Sequence, residues 1–145
     1  MKYDNYMKIE FYSKSQNEAF ARIVVAAFAS QLDPTIEEIS DIKTAVSEAV
    51  TNAIIHAYLD TNQMVTMICG IKDNQLEIIV EDRGIGIEDI NKARQPLYTS
   101  KPELERSGMG FTVMETFMDN VNIESAMGRG TRVHMTKIFK SLGKD

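Results

Sequence analysis

A mixed β-sheet covered on one face by helices is the α/β architecture that the sequence predicts, and three observations predict it. Segments with the two-residue period of strands occur at the start, in the middle and near the end of the chain. Two helical stripes follow one another directly after the first strand, and a third helical run stands before the last two strands. With 145 residues, 43% of them hydrophobic, the chain suits one domain with a real core, predicted to span residues 1–145.

Residues 7–11 place Ile9 and Phe11 on one side and Lys8 and Glu10 on the other, the pattern of a half-buried strand. Ser15 and Glu18 have the spacing of a capping box, and Phe20, Ile23, Val24, Ala27 and Phe28 then recur at helical intervals until Asp33 and Pro34 interrupt. On that helix Arg22, Val25, Ala26 and Ala29 fall on the side away from Phe20, Val24 and Ala27. They predict a nearly uncharged outer face with Arg22 available to an acidic partner, although small alanines also suit an ordinary surface. Thr35 and Glu38 repeat the capping signature, and Ile39, Ile42, Val46, Val50 and Ala53 carry a second helix to about Ala57.

Residues 64–71 and 76–80 are apolar runs joined by the turn-prone Lys72-Asp73-Asn74, which predicts a hairpin. Between Gly84 and Gly110 the chain turns polar and rich in glycine and proline, the composition of a long functional loop. A helix over 111–118 and a hairpin of 121–125 with 131–139 around Gly128-Arg129-Gly130 complete the domain. Met109, Met114 and Met118 are expected to pack that helix on the sheet, and Cys69 is expected in the core.

Sixteen Lys and Arg against twenty-one Asp and Glu give a net charge of −5, the wrong sign for a domain that tracks phosphate backbones, so no nucleic acid partner is expected. One cysteine and two histidines assemble neither a disulfide nor a Cys/His zinc site and suit a reducing, cytoplasmic setting. The polar N-terminus and the lack of a long apolar run argue against export and membrane spanning.

On the second helix Glu48 and Asn52 share the face opposite the core. A carboxylate and a carboxamide one turn apart suit proton acceptance and Mg²⁺ ligation, and equally suit a solvated polar face. Asp82-Arg83-Gly84-Ile85-Gly86 follows a strand, where a carboxylate enters a pocket beside a sharply turning backbone or simply makes a tight turn. Gly108-Met109-Gly110 precedes a helix and lets N–H groups approach phosphates, or it is a flexible loop end. Gly128-Arg129-Gly130-Thr131 reads first as a hairpin turn, with Thr131 on the side of Asp82.

In type and order these four segments resemble the nucleotide site of the GHKL ATPase and kinase superfamily. Glu48-x-x-x-Asn52 looks like its N box, Asp82-x-Gly84-x-Gly86 and Gly108-Met109-Gly110 like its two glycine boxes, and Gly130-Thr131 like its threonine element. The resemblance implies a Bergerat-type two-layer sandwich with a mostly antiparallel sheet and a flexible ATP lid over about 87–107. It implies that Asp82, assisted by Thr131, binds the adenine amino group, which guanine lacks at that position. Asn52 would ligate Mg²⁺ through its amide oxygen, Gly84, Gly86, Gly108, Met109 and Gly110 would line ATP or ADP, and Glu48 would be the general base. Lys101, in the lid, is added as a phosphate contact on charge alone.

Gyrase-like branches need a transducer domain, and sensor kinases need a phosphoacceptor histidine outside the site, whereas only His56 and His134 occur here. The whole chain closely resembles the anti-sigma kinases of endospore-forming bacteria. That likeness implies a homodimeric serine kinase that holds a sporulation sigma factor and phosphorylates a small anti-anti-sigma protein. A non-catalytic, nucleotide-gated binding module and a simple ATPase are the alternatives.

Overall fold

In the computed structural model, residues 2–57, 63–84, 110–126 and 128–140 are described. The chain runs β1 (Asn5–Tyr12), α1 (Gln16–Ala29), a 3₁₀ turn (Ser30–Leu32), α2 (Ile36–Asn52), a π-helical turn (Ala53–Ala57), β2 (Met64–Lys72), β3 (Gln75–Asp82), α3 (Gly110–Phe117), β4 (Asn120–Ala126) and β5 (Gly130–Ile138). The strands form one sheet in the order β1-β2-β3-β5-β4. All four pairings are antiparallel, so the parallel component of the expected mixed sheet is absent among the described residues.

One face of the sheet meets the helices. Val65, Met67 and Cys69 of β2 and Leu76, Ile78 and Val80 of β3 alternate inward against Ala45, Val46, Ala49 and Val50 of α2. Burial pushes the Cys69 thiol up to about 12, which suits a core residue and no thiolate chemistry. Met114 and Met118 are buried in the same core, as expected. On the opposite face Glu77 accepts a hydrogen bond from the Tyr3 hydroxyl and pairs with His134 Nε2 at 2.7 Å, while the Tyr3 ring occupies the space where a side chain on Gly70 would stand.

The second capping box forms as its spacing predicts. Thr35 Oγ1 accepts from the Glu38 N–H at 3.0 Å and Glu38 Oε1 accepts from the Thr35 N–H at 2.9 Å. The first does not form. Ser15 already has helical dihedrals, and its hydroxyl makes no cap bond, since capping requires an extended residue at that position.

The predicted faces of α1 are inverted. Ala21, Val25 and Ala29 are buried, whereas Phe20 is 49% and Ile23 65% exposed. Bulk was a misleading guide here: the ridge that packs in the core is built from small side chains, which let α1 approach its neighbours closely. Val24 and Phe28 pack partly against the core from the flanks. Arg22 stays half-exposed, but Val25 and Ala29 do not accompany it on an outer face.

Among the described residues no helix is long and apolar enough to cross a membrane.

Candidate functional site

Two elements bring the predicted residues together. The first is the end of α2. Glu48 and Asn52 are half-buried one turn apart, on the face not occupied by the buried Ile42, Val46 and Val50. Asn52 closes the α-helix, and the chain continues as a π-helical turn, a change of winding that often accompanies functional sites. Among the described residues no group of three His, Cys, Asp or Glu side chains is placed to hold a metal. The donor set fits Mg²⁺ held largely by phosphate oxygens and water, with a single carboxamide oxygen from the protein.

The second element is the paired end of β3 and start of β5, where Asp82 and Thr131 are register partners. Asp82 Oδ1 accepts from the Gly84 N–H at 2.9 Å and from the Thr131 N–H at 3.2 Å. Both N–H groups therefore fix one oxygen, which orients the carboxylate for a donor at the other. Burial raises the pKa of Asp82, and the two N–H bonds pull it back only in part, so the net shift is upward.

Ser125, in β4, is a site residue that the sequence reading missed. Its hydroxyl donates to the Gly130 carbonyl at 3.0 Å and stands 2.8 Å from Thr131 Oγ1. With its single proton committed to Gly130, it accepts from Thr131, whose Oγ1 keeps acceptor capacity. The signal was present in the hairpin. Centring the turn on Gly128 places Ser125 opposite Thr131, as the register confirms.

Gly130 is required by both conformation and space. Its φ is +93°, and a Cβ there would lie 2.1 Å from the Asp82 carbonyl oxygen and 2.7 Å from Arg83 Cα. Gly130→Ala is expected to cost about 3 kcal/mol in chemical denaturation, because strain at positive φ adds to a backbone clash. A loss below about 1 kcal/mol would show that the β3–β5 junction yields easily.

Gly84 stands two residues after Asp82, with Arg83 between them, and Gly110 is the first residue of α3. Gly86, Lys101, Gly108, Met109, the 87–107 lid and the His56 side chain lie outside the described residues. Arg22, on α1, is 3.6 Å from Glu18 Oε2. With Ile36, Lys43, Ser47 and Glu48 it lines a groove of 330 Å³ along α2. Asp82 and Thr131 do not line that groove.

A five-stranded antiparallel sheet under a helical layer is the architecture of a histidine kinase-like ATPase domain. The histidine kinase-like ATPase domain family matches residues 13–137. The chain is similar to the anti-sigma F factor of Clostridium kluyveri, at 66% identity over 97% of this chain and 99% of that protein. It is likewise similar to those of Caldanaerobacter subterraneus subsp. tengcongensis, 64% over 94% and 96%, and Clostridium acetobutylicum, 61% over 94% and 95%. A crystal structure of the RsbU and RsbW domains of Rv1364c from Mycobacterium tuberculosis shares the fold, with TM-score 0.69 at 19% identity over 93% of this chain and 32% of that one. The chain belongs to the anti-sigma F factor family. It is an anti-sigma factor built on a nucleotide-binding kinase-type ATPase domain, and its partner is a sigma factor.

Proposed function

We propose that the protein is a Mg-ATP-dependent serine kinase that holds a sporulation sigma factor when ATP-bound and phosphorylates a small anti-anti-sigma protein on serine. The observation that carries this reading is the position of Glu48. It stands one turn before Asn52, which is suited to Mg²⁺, and it also lines the groove shared with Arg22 and Lys43. A hydroxyl presented through that groove meets a carboxylate beside the phosphate end of the nucleotide, where a serine needs help to lose its proton. Glu48 is the catalytic base in this scheme, Asn52 the metal ligand, Asp82 and Thr131 the adenine anchors, and Gly84, Gly86, Gly108, Met109, Gly110 and Lys101 the remaining nucleotide contacts. Work on a sigma factor is work in the cytoplasm.

The exposed Phe20 and Ile23 on α1 support a homodimer, because an apolar pair on an outer helix face gains by burial against a second copy.

The test is incubation with Mg-ATP and an extract of a sporulating bacterium, followed by recovery of the complexes and mass spectrometry for phosphoserine. The expected result is a retained sigma factor together with new phosphoserine on a small companion protein. Nucleotide-dependent capture with no phosphoserine in a single turnover would replace the kinase by a gated binding module. In the same assay Arg22→Glu is expected to weaken partner capture about tenfold or more while ATP binding persists, since it removes a cation and places two carboxylates one turn apart with Glu18. Unchanged capture would remove the α1–α2 groove as a partner surface.

A further inference from the structure

We propose that Lys137 is a positioning residue that sets the spacing between the helix carrying Glu48 and Asn52 and the helix that opens at the second glycine box. The inference rests on the ATP-site reading above and adds to it a residue from the far end of the sheet.

Lys137 lies on β5 with its side chain only 12% exposed. Its ammonium donates to the Phe117 carbonyl, at the last residue of α3, at 2.8 Å, and pairs with Asp41 Oδ2 of α2 at 3.5 Å. A cation at a helix C-terminus satisfies an otherwise unpaired carbonyl and complements the helix dipole. One side chain therefore holds two helices at once. Two neighbours on the same strand end extend the clamp: the Ile138 N–H donates to Asp119 Oδ2 at 2.6 Å, just after α3, and the Lys140 N–H donates to Glu38 Oε2 at 3.0 Å, at the start of α2.

Both helices lead from this clamp to the nucleotide. From Asp41 to Asn52, α2 runs ~16 Å, and from Phe117 back to Gly110, α3 runs ~10 Å. Closely packed helices transmit a change of separation at one end to the other, so the clamp governs how far Asn52 stands from Gly110, the first residue of α3. The adenine anchors are held independently. Asp82 and Thr131 pair at the opposite end of the β3–β5 ladder from Leu76 and Lys137. Loss of the clamp should therefore act on the phosphates and spare the base.

The experiment titrates the full-length protein and its Lys137→Met, Asp41→Asn and Lys137→Arg variants with ATP and with adenosine, at a temperature where each is folded by circular dichroism. Lys137→Met and Asp41→Asn are expected to weaken ATP roughly tenfold, within the usual range of coupling between separated sites, and to leave adenosine within about twofold. Lys137→Arg, which keeps a cation and its donors, should recover part of the ATP affinity. Parallel loss of ATP and adenosine would show general loosening, and unchanged ATP affinity in folded Lys137→Met would show no coupling; either overturns the proposal. If Lys137→Met does not fold, Asp41→Asn carries the comparison. Failure of the unsubstituted protein to bind ATP would instead overturn the nucleotide-site assignment and the proposal with it.

Discussion

Glu48→Gln is expected to lower phosphoryl transfer to the acceptor serine by ~10²–10⁴-fold while ATP affinity changes by no more than about twofold. The substitution keeps the size and polarity of the side chain and removes its capacity to take a proton. Glu48 is half-buried on α2 and lines the groove with Arg22, whereas Asp82 and Thr131, the proposed adenine anchors, pair on β3 and β5. In the proposed scheme adenine binding and proton acceptance reside on separate elements and should separate in measurement. Single-turnover transfer from labelled ATP gives the first quantity and nucleotide titration the second. Equal losses in both would make Glu48 a structural member of the pocket and leave the serine without a base. A fall below about tenfold in transfer alone would point to catalysis by positioning of the phosphates, with the hydroxyl proton lost late in the reaction.

The different sequence signals were unequal guides to this site. The two-residue alternation of β2 and β3 was sufficient to place Cys69 in the core and Asp82 at a strand end, because a sheet with one covered face forces that alternation. Thr35 and Glu38 marked the start of α2, and with it the face of Glu48 and Asn52, because a capping box is local chemistry. Helix α1 was read with its faces reversed, since a stripe of Phe and Ile outweighs a stripe of Ala in any hydrophobic pattern, although close helix packing prefers the smaller residues. Ser125 was legible but overlooked, since the hairpin spacing around Gly128 sets it opposite Thr131. Lys137 was illegible for another reason: it acts across a tertiary junction between β5 and two helices, and no local spacing encodes such a meeting. Arg22 lines the α2 groove although Val25 and Ala29 of its expected face are buried.

Asp82→Asn is expected to weaken ATP by ~10²–10⁴-fold while leaving the nucleotide-free fold at least as stable at neutral pH. Both N–H donors, from Gly84 and Thr131, converge on Oδ1, so an amide oxygen can take over that position without loss. The amide nitrogen then replaces the remaining carboxylate oxygen and presents a donor to the adenine amino group, itself a donor. Stability moves the other way because burial raises the Asp82 pKa. A carboxyl whose folded pKa is raised favours folding below its unfolded pKa, and that advantage is lost as pH rises through the folded value. Above its folded pKa the protein therefore carries a partly desolvated carboxylate at Asp82 that costs stability. Thermal unfolding of both proteins across pH checks the sign: the variant should equal or exceed the unsubstituted protein at pH 7, and its advantage should shrink as acid neutralises Asp82. A variant markedly less stable at pH 7 would mean that the carboxylate is structural. Unchanged ATP affinity would remove Asp82 as the proposed adenine anchor, and with it the selectivity for adenine over guanine proposed for the Asp82–Thr131 pair.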